Sequence, residues 1–129
     1  MKLKDLLLED TENFRIEEEG DWKTRVFITA YLKDDKKTWL DVMDDPIVEL
    51  TVDINKDVAR LNQIVAHRKG QGYAGEVIKY AEEKLKDLGI KKIEGYIVNT
   101  NVSSQSMIRK LGYTEERVEK QGSYWVKNI

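Results

Sequence analysis

Hydrophobic positions along the chain follow two periods, and the change falls at Lys69-Gly70-Gln71-Gly72. Before it, apolar residues run in short β-branched and aromatic stretches separated by turn formers, the pattern of half-buried strands. Thr24-Arg25-Val26-Phe27-Ile28-Thr29-Ala30-Tyr31-Leu32 stops at Lys33-Asp34-Asp35-Lys36-Lys37, and a return strand from Trp39 to Met43 follows. Ile47 to Ile54 comes after the Asp44-Asp45-Pro46 breaker and Leu61 to Ala66 after Asn55-Lys56-Asp57, so the spacing predicts an antiparallel meander. Phe14-Arg15-Ile16 reads as a further strand at the sheet edge. In residues 1–10 three successive leucines fit no single period, and both a strand and one or two helical turns stay open there.

After the glycines the period lengthens. Ala74, Val77, Ile78, Ala81, Leu85 and Leu88 form one apolar stripe along a helix of about four turns, which Gly89 ends as a left-handed cap. Lys84 and Lys86 sit in its last turns, where they complement the helix dipole. Lys92 to Val98 reads as a strand, Asn101 as an N-cap, Ser103 to Leu111 as a short helix closed by Gly112, and Glu115–Glu119 with Tyr124–Val126 as a final hairpin. The predicted fold is a mixed α+β one: a largely antiparallel sheet, a crossover helix after the glycine loop, a second short helix and a C-terminal hairpin. With 129 residues and no repeat, linker or low-complexity tract, one domain over residues 1–129 is expected.

Composition narrows the chemistry. Hydrophobic residues make up 40% and charged ones 36%, the balance of a folded soluble protein. No cysteine is present, which excludes disulfides, thiolate metal sites and thiol nucleophiles, and one histidine, His67, leaves little for a transition-metal site, so no metal is expected. A pI near 5.5 argues against nucleic-acid binding by bulk charge, and no apolar run approaches a membrane span. No nucleic acid and no membrane partner is expected, and the start lacks a secretory signal, so the expected location is cytoplasmic. Residues 1–65 hold 10 basic and 16 acidic side chains, whereas residues 66–129 hold 12 and 8, so the second half suits an anion better.

Gly70-Gln71-Gly72-Tyr73-Ala74-Gly75 matches G-x-G-x-x-G between a strand and a helix, the setting of a dinucleotide-binding turn. Against a small NAD-binding protein stand Glu94, which falls inside the next strand rather than at its end, and the lack of repeated βαβ units. The same glycines also suit an anion cradle, in which backbone N–H groups converge on a phosphorylated ligand at a helix start. A glycine-rich turn without a ligand is the plain alternative.

Lys69-Gly70-Gln71-Gly72-Tyr73-Ala74 resembles the Q/R-x-x-G-x-G/A motif of the GNAT N-acetyltransferase superfamily. Asn101-Val102-Ser103-Ser104-Gln105-Ser106-Met107-Ile108-Arg109-Lys110-Leu111-Gly112-Tyr113 is similar, at the family's spacing, to its asparagine-led helix ending in K-L-G-F/Y. The resemblance implies a protein that moves an acetyl group from acetyl-CoA to a primary amine. Its pyrophosphate would lie on the amides of Lys69, Gly70, Gln71, Gly72, Tyr73 and Ala74, and its pantetheine arm along Ile64, Val65, Ala66 and His67. Asn101 would meet the pantetheine chain with Ser104 in the same cofactor-binding set, and Arg68, Lys69, Arg109 and Lys110 would partner phosphate oxygens.

Family members transfer the group directly in a ternary complex, so positioning supplies much of the rate. The resemblance implies an oxyanion held by the backbone N–H near Val65, where the strand must splay from its neighbour. His67 is the one side chain with an unperturbed pKa near neutrality and is a candidate base, beside its reading as a polar strand end. Two features depart from the family pattern. Ile108 stands where many relatives carry a tyrosine acid, and the strand before the loop lacks the carboxylate some relatives place there, near Ala59. A catalytically weak or inactive acyl-CoA-binding module is therefore a competing reading. The acceptor cleft is expected to be open or completed by a second copy in a homodimer. Asp34, Asp35, Asp41, Asp44 and Asp45 would attract a cationic acceptor or form a solvated face, and Trp22, Tyr31, Trp39 and Trp125 read as core or rim packing.

Overall fold

Alternating burial along the central strands, a buried stripe along the longer helix and one buried anchor, Ile108, on the shorter assemble into a single mixed sheet with both helices packed on it. The computed structural model describes residues 8–10, 14–32, 46–67 and 72–129. In chain order the elements are β1 (Leu8–Asp10), β2 (Phe14–Asp21), β3 (Arg25–Leu32), β4 (Val48–Asn55) and β5 (Val58–Ala66). There follow α1 (Tyr73–Asp87), β6 (Lys92–Val98), α2 (Val102–Lys110), β7 (Thr114–Val118) and β8 (Gly122–Asn128). The eight strands lie in the order β1-β2-β3-β4-β5-β6-β8-β7, and β5 with β6 is the one parallel pair among them. This is the expected α+β architecture. A doubly wound dinucleotide fold needs repeated parallel units, so the NAD-binding reading of the glycine loop falls with the topology.

The first four long strands bury one face. Val26, Ile28 and Ala30 of β3 and Val48, Leu50 and Val52 of β4 are at most 1% exposed, while Arg25 before them and Phe27 among them face outward. Val77, Ile78, Ala81 and Leu85 of α1 close on that face, and the Tyr73 ring meets Phe14 of β2 edge-on at 5.2 Å. Across the outer face, Arg25 pairs with Asp53, which stands opposite Arg60, and Arg60 donates to Glu94 at 2.8 Å. Glu94, the acidic residue a ribose contact would have needed, is thus a link in a cross-strand charge ladder.

Both helices end as their glycines predict. Ile90 N–H donates to Leu85 O and Gly89 N–H to Lys86 O, with Gly89 at φ 85°, and the same two bonds recur at Tyr113 and Gly112 after α2. A half-buried polar knot then ties the second half together. The Tyr113 hydroxyl donates to Glu82 at 2.7 Å, and the Lys127 ammonium donates to Glu82 at 3.2 Å and to the Leu111 carbonyl at 2.7 Å. Burial, then the charge and hydrogen bond of Glu82, push the Tyr113 phenol above its ordinary pKa.

Phe14-Arg15-Ile16 belongs to a longer strand than the sequence suggested, and β2 lies inside β1 rather than at the edge. Leu8–Asp10 takes the strand option, because pairing with Arg15–Glu17 supplies backbone partners that leucines without a helical period cannot gather locally. The turn at 33–37, the strand from Trp39 to Met43 and the acidic cluster fall outside the described residues.

Candidate functional site

The sheet opens along one line. β5 and β6 pair from Val58 with Lys92 to Leu61 with Gly95, and beyond that rung β5 remains paired only with β4. A register shift marks the point of parting. Thr51 of β4 faces Gln63 and the next residue, Val52, faces Leu61, so Asn62 is the extra residue of a β-bulge. A bulge bends and twists its strand, which is how β5 leaves its neighbour here.

Parting exposes backbone. His67 N–H donates to the Ile47 carbonyl at 2.8 Å, continuing the rung series in which Val65 faces Glu49. Since ladder bonds alternate sides along a strand, the amides at 65 and 67 turn toward β4 and those of Ile64 and Ala66 turn into the opening. The amide of Val65, the expected oxyanion donor, therefore turns toward Glu49 of β4 and its neighbours at 64 and 66 take the gap-facing place.

Two adjoining cavities occupy the opening. The larger, about 720 Å³, lies between the end of β5, the start of α1 and α2. Ile64, Val65 and Ala66 form one wall, Gly72, Tyr73 and Ala74 a second, and Asn101, Ser104 and Lys110 a third. The smaller, about 190 Å³, sits where β5 and β6 diverge and shares Ile64, Asn101, Ser104 and Met107 with the first.

Gly72 precedes α1 at φ 76°, in the left-handed region that favours glycine, and a Cβ there would meet nothing within 4 Å. Among the described residues no side chain caps this helix start. Its first-turn amides therefore border the cavity with the positive end of a fifteen-residue helix behind them. Asn101 caps α2 as its sequence position predicts, its Oδ1 accepting from Ser104 N–H at 3.1 Å and from the Ser103 hydroxyl at 3.3 Å.

Nine of the expected site residues thus meet around the larger cavity: Ile64, Val65, Ala66 from β5, Gly72, Tyr73, Ala74 at α1, and Asn101, Ser104, Lys110 at α2. Two do not. Arg109 lies over the Trp125 ring, 5.1 Å from its centroid, because its place on α2 turns it toward β8 rather than toward the phosphate side. His67 pairs with Glu49 at 2.7 Å in an exposed couple, and neither residue lines either of these two cavities. Arg68, Lys69, Gly70 and Gln71 fall outside the described residues. Sequence reasoning missed Lys79 of α1 and Ser103, Ser106 and Met107 of α2, which also line the larger cavity. The spacing of Ser103, Ser106, Met107 and Lys110, at i, i+3, i+4 and i+7, was the available signal for a common face.

The Acetyltransferase (GNAT) family model matches residues 3–113, and the chain belongs to that family. Among solved structures it resembles the PaiA N-acetyltransferase of Thermoplasma acidophilum in complex with coenzyme A, at TM-score 0.68 and 18% identity over 82% of this chain and 62% of that one. It also resembles a Bacillus subtilis acetyltransferase in complex with CoA, at TM-score 0.70 and 14% identity over 90% of this chain and 99% of the other. The GNAT domain of S. lividans PAT matches at TM-score 0.68 and 16% identity, over 86% and 64% of the two chains. These likenesses are of fold. The chain spans 62% of the length of the T. acidophilum protein. No curated protein matches it in sequence. Among the described residues no helix is long and apolar enough to cross a membrane.

Proposed function

We propose that this protein is an acetyl-CoA-dependent N-acetyltransferase that acetylates a primary amine by direct transfer in a ternary complex. The observation that carries the reading is the opening of β5 from β6 onto a 720 Å³ cavity that ends at the start of α1, which no side chain caps among the described residues. The cavity fits coenzyme A by its donors: strand amides at Ile64 and Ala66 suit a pantetheine arm laid along β5, and the start of α1 suits a pyrophosphate. Lys79 of α1 and Lys110 of α2 add positive charge from two walls, against the one carboxylate of Glu76 among the described lining residues. Bound acetyl-CoA supplies an activated acyl thioester.

The chain's own groups position and polarise. We assign to the Ile64 amide the oxyanion role expected of Val65, because it is a donor turned into the opening beside the bulge. Asn101 stands between the two cavities and orients the arm where it passes from one to the other. Ile78, Ile108 and Trp125 wall the smaller cavity and exclude water from the reacting carbonyl. Isothermal titration with acetyl-CoA, paired with a thiol-release assay over an amine panel, tests the reading; no heat with acetyl-CoA would refute it.

A second reading is an acyl-CoA-binding module without turnover. Buried Ile108 offers no proton, and His67 is turned to Glu49. Binding without thiol release for any amine is the result that would select it.

A further inference from the structure

We infer that the 190 Å³ cavity between β5 and β6 is an acyl pocket that takes a short-chain acyl group longer than acetyl. The inference rests on the coenzyme A reading above and asks what the thioester carries. Three observations point to it. The first is size: an apolar cavity of about 150 Å³ already holds benzene, so 190 Å³ has room for roughly six carbons beyond the thioester.

The second is Gly95. It sits on the last rung before the strands part, opposite Leu61, and between Ile93 and Ile97 on the face that carries the core. Its backbone lies outside the positive-φ region, and an added Cβ would make only ordinary contact, 3.5 Å from Leu61 O and 3.7 Å from Leu61 Cβ. Neither conformation nor crowding calls for glycine. A glycine inside a strand weakens it, and here the missing side chain leaves space at the apex of the cavity, the mark of a close ligand approach.

The third is chemistry. Ile64, Ile78, Ile97, Met107, Ile108 and Trp125 supply apolar wall beside the neutral polar Asn62, Gln63, Asn101 and Ser104, and among the described residues no Asp, Glu, His, Lys or Arg lines it. An amine seated there would find no counter-charge, and an ammonium would be penalised for leaving water. An acyl chain needs none. It would enter from the coenzyme A side, past Ile64, Asn101, Ser104 and Met107, which line both cavities.

The test is a binding series on the full chain with free CoA and acetyl-, propionyl-, butyryl- and hexanoyl-CoA, read by titration calorimetry. Burying a methylene contributes about fourfold in affinity, so butyryl-CoA is expected to bind about 16-fold tighter than acetyl-CoA, with the gain levelling off once the pocket is full. Gly95→Ala should cut that ratio to about fourfold and Gly95→Val to near one, with circular dichroism reporting the fold of each. Should the valine variant fail to fold, the alanine variant decides. A flat series in a protein that binds free CoA overturns the acyl pocket and leaves the cofactor reading standing; no binding of free CoA overturns both. A 16-fold ratio retained in Gly95→Ala, or a flat acyl series beside amine KM values that fall with alkyl length, gives the cavity to another occupant and overturns the inference.

Discussion

Strand β5 behaves as two different structures along nine residues. Over Val58–Leu61 it is paired on both sides, and Ala59, between Ile54 and Ile93, is fully buried. Over Asn62–Ala66 it keeps one partner, and Ile64, Val65 and Ala66 are only half-buried. The closed end satisfies its backbone within the sheet and carries core. The open end leaves donors that water or a ligand must meet, and a ligand with amides of its own can stand where the missing strand would be. The Asn62 bulge is the boundary between the two.

Breaking the closed end should cost the most. Ile93→Ala removes a fully buried side chain beside Ala59 and is expected to destabilise by about 2–5 kcal/mol in urea denaturation, while the folded fraction keeps its affinity for coenzyme A. Blocking the open end should cost binding instead. Gly72→Glu puts a carboxylate over the helix start and a side chain at φ 76°, and a loss of roughly 100-fold in acetyl-CoA affinity, about 2.8 kcal/mol, is expected. Unchanged calorimetric affinity would remove the cofactor site from this turn.

The knot behind the site should respond next. Tyr113→Phe leaves Glu82 with Lys127 alone and is expected to cost about 1.5–3 kcal/mol at neutral pH. The native phenol titrates above its unfolded value of ~10, so the folded state holds that proton more tightly. Its contribution is complete below pH ~10 and is eroded as pH climbs higher, so Tyr113→Phe should flatten the alkaline limb of a stability profile. Asn101 sharpens the comparison at its hinge. Asn101→Ser keeps a capping oxygen and should leave the melting temperature nearly unchanged while weakening acetyl-CoA several-fold; Asn101→Ala should lose both, with about 1 kcal/mol of stability. The smallest effect belongs to the outer face at the closed end. Arg60→Ala breaks a half-exposed pair with Glu94 and should change stability by less than about 1 kcal/mol, shrinking further in high salt.

Legibility followed the range of the interactions. Helix α1, its glycine cap and the Asn101 cap could be read because their causes lie within a few residues: an apolar stripe, a left-handed glycine, an oxygen three residues from the amide it accepts. β6 was placed to the residue for the same reason, an apolar run between turns. The lining role of Gly72 and Asn101 came from family motifs in the right order. Lys79 and Met107 went unseen because their value depends on α1 and α2 standing across one cavity, and Arg109 was placed at the phosphates because a cation's direction on a short helix is set by what it packs against, here Trp125.

By itself, then, the amino-acid order determined both helices, their caps, the cores of the longer strands and the family, since periodicity and capping are short-range and each segment carries its own instructions. Only the tertiary structure decided where β5 parts from β6, which amides that leaves facing the gap, and that Gly95 borders an empty volume. Those depend on residues more than thirty positions apart arriving at one rung, and no local pattern records which rung is the last.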